Sequence, residues 1–453
     1  DGAFDWNEAV HPEVDAQSMF TVNDDNAKSL RSNGFGVVLT AQQYGIMRGT
    51  ASVVMLGNGN ENEMILRGDA ASTLSFNKGN STQDYPESLM GSIALIRQTY
   101  YDAKWYKANN ASLEFNLSLD ALNKQLQLPQ LFFTNGVLSE LRASRIADEF
   151  KMNYIIKGNG DEYKYLDLIK ATNSTVVVPL NFPLAYDVKD AYDASLIPLS
   201  KLMEWEYAPA NCSLLQQHGI PFVITSDDLK NSTEFLPNLR KAISYGLTAT
   251  QALKALTYTP ASLLNMQNEI GSIAAGMKAD FIVTTDSVFN DDAIIAMNWV
   301  GGKPFILNEN AMNDLRGNYN FSFGVQRMIN TLQVDGSVDA PTFTLIVGDS
   351  KISVSYTLHD KLITLNFCYP KDSTKQLYRL SGVVNGTKWS GNGTAPDASW
   401  ISWSADFASA FVSAPSSSQI KSSPTLGPLL YPFEAYGWTT QPTQQTTLFK
   451  NAT

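Results

Sequence analysis

Histidine is almost missing from this chain. Its 453 residues include only His11, His218 and His359, and no two of these stand at a spacing that lets imidazoles share a metal ion. Cysteine is equally scarce. Cys212 and Cys368 form no CxxC pair, so neither a zinc ribbon nor a disulfide framework can be read, and a single bridge between them is allowed but not indicated. Charged residues make up 17%, against roughly 25% in ordinary soluble domains, while apolar residues reach 44%. That balance excludes a disordered chain. With 33 Lys plus Arg against 44 Asp plus Glu, the net charge of −11 argues against phosphate backbones and anionic lipid as partners. No apolar run approaches the roughly 18 residues needed to span a bilayer, so membrane insertion is not expected. The glycines of KGNGDEYK (157–164) are followed by neither GxGxxG nor GK[ST], which removes the usual support for nucleotide binding.

What the chain does have is a series of short β-branched or aromatic runs: GVVLTA (36–41), SVVML (52–56), QLFFTN (130–135), NYIIKG (153–158), TVVVPL (175–180) and PFVITS (221–226). Continuous apolar runs of this kind suit strands of a parallel sheet buried on both faces. Helical stripes lie between them, for example Leu138, Leu141, Ile146, Ala147 and Phe150, and Ser88 to Ala108 reads as a further helix. The alternation predicts an α/β architecture, a barrel or a doubly wound sheet. From 238 two helices follow each other. Gly246 stops the first, and Thr248 with Gln251 opens the second as a capping box. Residues 312–425 differ in texture. FTLIV, KISVSYTL, KLITLNF, YRLSGVV and the stretch with Trp389, Trp400 and Trp403 predict an antiparallel sandwich or barrel, with the tryptophans in its core.

The segment YGLTATQALKALTYTPASLLNMQNEIGSIAAGMKADFIV (245–283) resembles the closing signature of the amidohydrolase superfamily, in its imidazolonepropionase-like branch. LRASRIADEFKMNYIIKGNGDEYKYLDLIKAT (141–172) is similar to that family's fifth and sixth βα units. AFDWNEAVHPE, STQDYPESLMGSIALIRQTY and LGPLLYPFEAYG resemble the amino-terminal module of large periplasmic proteins of Bacteroidetes that carry two amidohydrolase modules in tandem. The resemblance implies a distorted or incomplete (β/α)8 barrel over 1–270, a small β-sandwich return at 271–311, the β-rich domain at 312–425, and at 426–453 a connector with the first strand of a following module. It also implies a periplasmic or extracellular location.

The same resemblance implies one or two metal ions held by a His-x-His pair on the first strand, His on the fifth and sixth, and Asp on the eighth. The first pair would fall ahead of residue 1. The fifth-strand position falls at Thr134 and Asn135, the sixth at Gly158 to Gly160, and none of these is His. Only Asp227, in VITSDD, has a counterpart, as catalytic residue and as metal ligand if there is one. One carboxylate does not hold a catalytic zinc. Lys157, Asp161, Glu162 and Asn135 are the candidate substrate-binding residues at the barrel mouth. Each also has an ordinary reading: Asp227 as a turn cap, and Asp161 as a helix cap after a Gly turn.

Three functions compete. The first is a degenerate module without most metal ligands, supporting a second amidohydrolase module or a neighbouring catalytic chain. The second is a metal-dependent hydrolase of non-peptide C–N bonds, on a cyclic amide or peptide-like substrate, completed from outside this chain. The third is a non-catalytic peptide or glycan binder. No cofactor is expected in this chain, zinc enters only if the site is completed elsewhere, and homo-oligomerisation stays open.

Overall fold

The computed structural model describes residues 4–109, 114–309, 311, 314–324, 330–338, 340–369, 376–410, 424–433, 437–440, 442–443 and 445–450. They form two compact units. One comprises Asp1–Phe281, Trp299–Pro304 and Lys421–Thr453, and the other Ile282–Asn298 and Phe305–Ile420.

The first unit is built on a seven-stranded sheet of β1 (Val37–Ala41), β2 (Met47–Met55), β3 (Ile65–Ser75), β4 (Gln130–Phe133), β5 (Tyr154–Lys157), β6 (Thr175–Pro179) and β7 (Phe222–Thr225), in sequence order. From β3 to β7 every neighbour is parallel. β1, β2 and β3 pair antiparallel, which corrects the expectation of parallel strands throughout. The reason is connection length. A parallel crossover needs about a dozen residues or more, and only 42–46 separate β1 from β2 and 56–64 separate β2 from β3. The sheet stays open, a partial barrel rather than a closed eightfold one.

Helices Leu89–Asn109, Val137–Phe150, Leu166–Ala171 and Asn211–His218 occupy the connections from β3 to β7. Leu95, Ile96, Tyr100 and Ala103 of the first, Ala143, Ile146 and Ala147 of the second, and Leu74, Phe132, Tyr154 and Ile156 of the strands make one buried cluster. Inside it the Tyr100 and Tyr154 hydroxyls bond to each other at 2.9 Å, which satisfies two polar groups that burial would otherwise strand. After β7 come Phe235–Ser244, Ala249–Leu256, whose Thr248 cap accepts from the Gln251 amide, and Tyr258–Leu263. His218 closes its helix, with Nδ1 2.9 Å from the Leu214 carbonyl and Gly219 left-handed behind it (φ 67°).

At 271–311 a single three-stranded sheet stands where a small sandwich was expected. It contains β8 (Phe281–Thr284), β9 (Ile295–Val300) and β10 (Lys303–Ile306), with β9 in the middle. Residues 424–433 run without helix or strand, and the Gly427 amide donates to Glu206 at 2.9 Å. No strand is formed over 445–450.

In the second unit, β11 (Gly317–Phe323), β12 (Asn330–Gly336), β13 (Pro341–Val347), β14 (Ser350–His359), β15 (Leu362–Cys368), β16 (Leu377–Asn385), β17 (Lys388–Thr394) and β18 (Trp400–Ala410) form an antiparallel barrel. β11 pairs with β18 to close it, and closure removes both sheet edges. Tyr319, Phe321, Leu332, Phe343, Leu345, Phe367, Trp389 and Trp403 form its buried core. The expected tryptophan core holds for Trp389 and Trp403 only. Trp400, which opens β18, is 80% exposed. Cys212 and Cys368 are both free thiols. Among the described residues no helix is long and apolar enough to cross a membrane.

Candidate functional site

The carboxyl ends of the parallel strands gather the candidate residues. Thr134, just past β4, donates both its amide and its hydroxyl to the Lys157 carbonyl at 2.9 Å, which ties the ends of β4 and β5 together. Asn135 next to it only accepts from the Ser139 hydroxyl at 3.4 Å. Lys157 is the last residue of β5 and is buried. Its Nζ donates to Asp228 and lies 3.6 Å from Asp227 Oδ2. These two aspartates follow β7, half-exposed, with Asp228 in the left-handed region (φ 65°) and the Asp227 amide donating to Thr225 Oγ1 at 3.1 Å. Arg48 of β2 is buried as well, its Nε on the Gly45 carbonyl at 2.9 Å and its guanidinium 4.9 Å from the centre of the Phe133 ring. Burial pulls its pKa down to about 10 and the charge of Asp227 opposes that fall, so it stays cationic at neutral pH.

A second group lies in the loop after β5. Gly160 supplies the turn (φ 83°). Asp161 precedes the short helical turn Glu162–Tyr165 but does not cap it. It accepts instead from the amide of Val137 at 3.0 Å and pairs with Lys164 at 3.1 Å. Asp161 thereby caps Val137–Phe150, whose own N-cap is Gly136 and has no side chain to offer. Glu162 is fully buried. It accepts from the Gly160 amide at 3.1 Å and from the Asn211 side chain, whose own oxygen accepts from the Tyr163 amide at 2.9 Å. Glu140, one turn into Val137–Phe150, is also fully buried, and neither of its carboxylate oxygens has a hydrogen-bond partner. One oxygen each from Glu140, Asp161 and Glu162 lie within 4.8 Å of one another. Desolvation, then the charge of Glu162, raises the pKa of Glu140 well above the carboxylate range. Desolvation also raises that of Glu162.

The structure therefore divides the sequence-derived candidates. Lys157 joins Asp227 and Asp228 at the strand ends, Asp161 and Glu162 join Glu140 in the loop, and Asn135 joins neither. Sequence reasoning missed Arg48, Glu140 and Asn211. Arg48 left a faint signal as a charge inside an otherwise uncharged buried strand. Glu140 left none, because an acid in the first turn of a helix already has an explanation in the helix dipole.

Zinc does not fit either group. It takes imidazole or thiolate with few carboxylates, and among the described residues no histidine joins a group of side chains that could hold a metal ion. His11 is exposed and bonded to Glu13 at 2.8 Å, His218 closes its helix, and His359 ends β14 in the other unit. At the strand ends an ammonium already sits against the carboxylates that a metal would need.

Residues 207–305 match the model of the amidohydrolase family. An amidohydrolase from Thermotoga maritima MSB8 has a similar fold, with a TM-score of 0.56 and 21% identity, over 66% of this chain and 80% of that one. A prolidase complexed with N-methylphosphonate-L-proline aligns over 42% of this chain and 48% of its own, at 17% identity and a TM-score of 0.30, too little to carry an argument. No curated protein matches the sequence. Residues 207–305 are thus similar to the amidohydrolase family, and the chain shares its fold with the Thermotoga structure.

Proposed function

We propose that this chain is a degenerate amidohydrolase-like module, without most of the metal ligands, that supports a catalytic amidohydrolase module on the same polypeptide or on a neighbouring chain. The observation that carries the reading is the seat of the Lys157 ammonium against Asp227 and Asp228. Asp227 stands where the superfamily resemblance puts the last metal ligand, and here its charge is met by Lys157, with Arg48 nearby. A divalent ion brought to Asp227 would meet a buried positive charge, and the positions where the resemblance implies imidazoles hold Thr134, Asn135, Gly158 and Asn159 instead. Neutral oxygens and bare backbone do not replace imidazoles around zinc. The narrower placement, an imidazolonepropionase-like amino-terminal module of a tandem periplasmic protein, belongs to this proposal and rests on the sequence resemblance.

Metal analysis of protein purified without chelator tests it. The expected result is far less than one zinc or iron per chain, no hydrolysis of lactams, cyclic amides or dipeptides, and no change when zinc is added. Stoichiometric zinc that disappears in Asp227→Asn would overturn the reading and favour the metal-dependent hydrolase.

A further inference from the structure

We infer that Glu140, Asp161 and Glu162 bind one hard divalent cation of the calcium class, in the loop after β5. This goes beyond the proposed function and stands whether or not the strand-end site is catalytic.

Asp161 and Glu162 are neighbours on one loop, and by themselves they would say little. The further observation comes from another element. Glu140 reaches the same point from Val137–Phe150, is 0% exposed, and meets no N–H or hydroxyl donor at either oxygen, only the carboxyl group of Glu162. A buried carboxylate without donors is either protonated or meets a cation. The space is kept clear at Gly158, whose φ does not call for glycine. A Cβ there would stand 2.0 Å from Glu162 Oε1 and 2.8 Å from Glu140 Oε1, so a bare backbone is what lets the two carboxylates close on one point.

Charge counting agrees. Lys157 is committed to Asp227 and Asp228, and Lys164 to Asp161. Glu140 and Glu162 are left without an ion-pair partner among the described residues, so a cation arriving there displaces no ammonium from either. The donors are all oxygen, which selects hard cations over zinc or copper. Calcium tolerates irregular, flexible oxygen cages, whereas magnesium demands a near-ideal octahedron, and three carboxylates from a loop and a helix suit the former. The side chain of Asp161 is 17% exposed and gives the ion its way in, and its pair with the 26% exposed Lys164, unlike that of the buried Lys157, can open to water as the ion binds.

The test uses the full chain, stripped with chelator and exchanged into chelator-free buffer. Titration with CaCl2 by calorimetry, with MgCl2 and MnCl2 in parallel, is expected to show one calcium site per chain, weaker magnesium binding and a calcium-dependent rise in Tm. Glu140→Gln and Asp161→Asn should each weaken calcium by at least about tenfold, with the far-UV spectrum retained, while Asp69→Asn, an exposed acid of β3, should change nothing. Should Glu140→Gln fail to fold, Asp161→Asn, at a partly exposed position, carries the comparison. The inference is overturned by no calcium heat and no Tm shift up to about 5 mM, above the range of weak extracellular calcium modules. It is equally overturned if both variants bind as the parent does. The first outcome, with Glu140→Gln more stable than the parent, would identify a proton shared between Glu140 and Glu162 in the cation's place.

Discussion

Glu140 gives the single-residue scale its sharpest consequence. With chelator present, burial holds its folded pKa well above the ordinary 4.5. Between those two values the native chain binds more protons than the unfolded one, so stability falls as pH rises through that window. Glu140→Gln has no proton to lose there. Urea unfolding followed upward in pH from the ordinary carboxylate range should show a downward slope in the parent and a flatter one in the variant, and parallel slopes would refute the assignment. The sequence made part of this site visible. KGNGDEYK was legible as a charged turn, and Asp227 as a strand-end acid. Their partners were not, because Lys157 ends a strand while Asp161 and Glu162 follow the reversal at Gly160, and that reversal sends adjacent charges to different neighbours.

Strands announced themselves where their side chains were large. β1, β4, β5, β6 and β7 all fall on the β-branched or aromatic runs, because a strand covered on both faces needs bulk on both. β3 escaped notice for the converse reason. Its buried half runs from Ala70 to Ser75, and apart from Leu74 these are small residues that leave little hydropathy signal. The tryptophans of the barrel show the same limit, since composition does not say which of three faces inward. The Trp389 ring lies 4.2 Å from that of Tyr319, tilted by 38°, at 1% exposure. Its replacement by Ala should cost about 3–5 kcal/mol, read from denaturant unfolding followed by far-UV circular dichroism. Trp400→Ala should stay within about 0.5 kcal/mol, and equal losses at the two positions would contradict the placement.

For the molecule as a whole, the excess of acid sets how it meets other macromolecules. At −11 it should be held by an anion exchanger and pass unretained through immobilised heparin or duplex DNA at about 0.15 M salt; retention on either polyanion would reveal a basic surface that the net charge conceals. The amidohydrolase match at 207–305 runs from just ahead of the helix Asn211–His218 to β10, the stretch with the most recognisable helix stops and caps. The partial barrel ahead of it was legible as alternation but not as topology, because connection lengths, rather than residue types, turned its first strands antiparallel. The chain also carries a timetable. The first amide of Val137–Phe150 is held by Asp161, 24 residues downstream, so during synthesis this helix leaves the ribosome unfinished. Only when β5 and the turn at Gly160 have emerged can the clasp arrive.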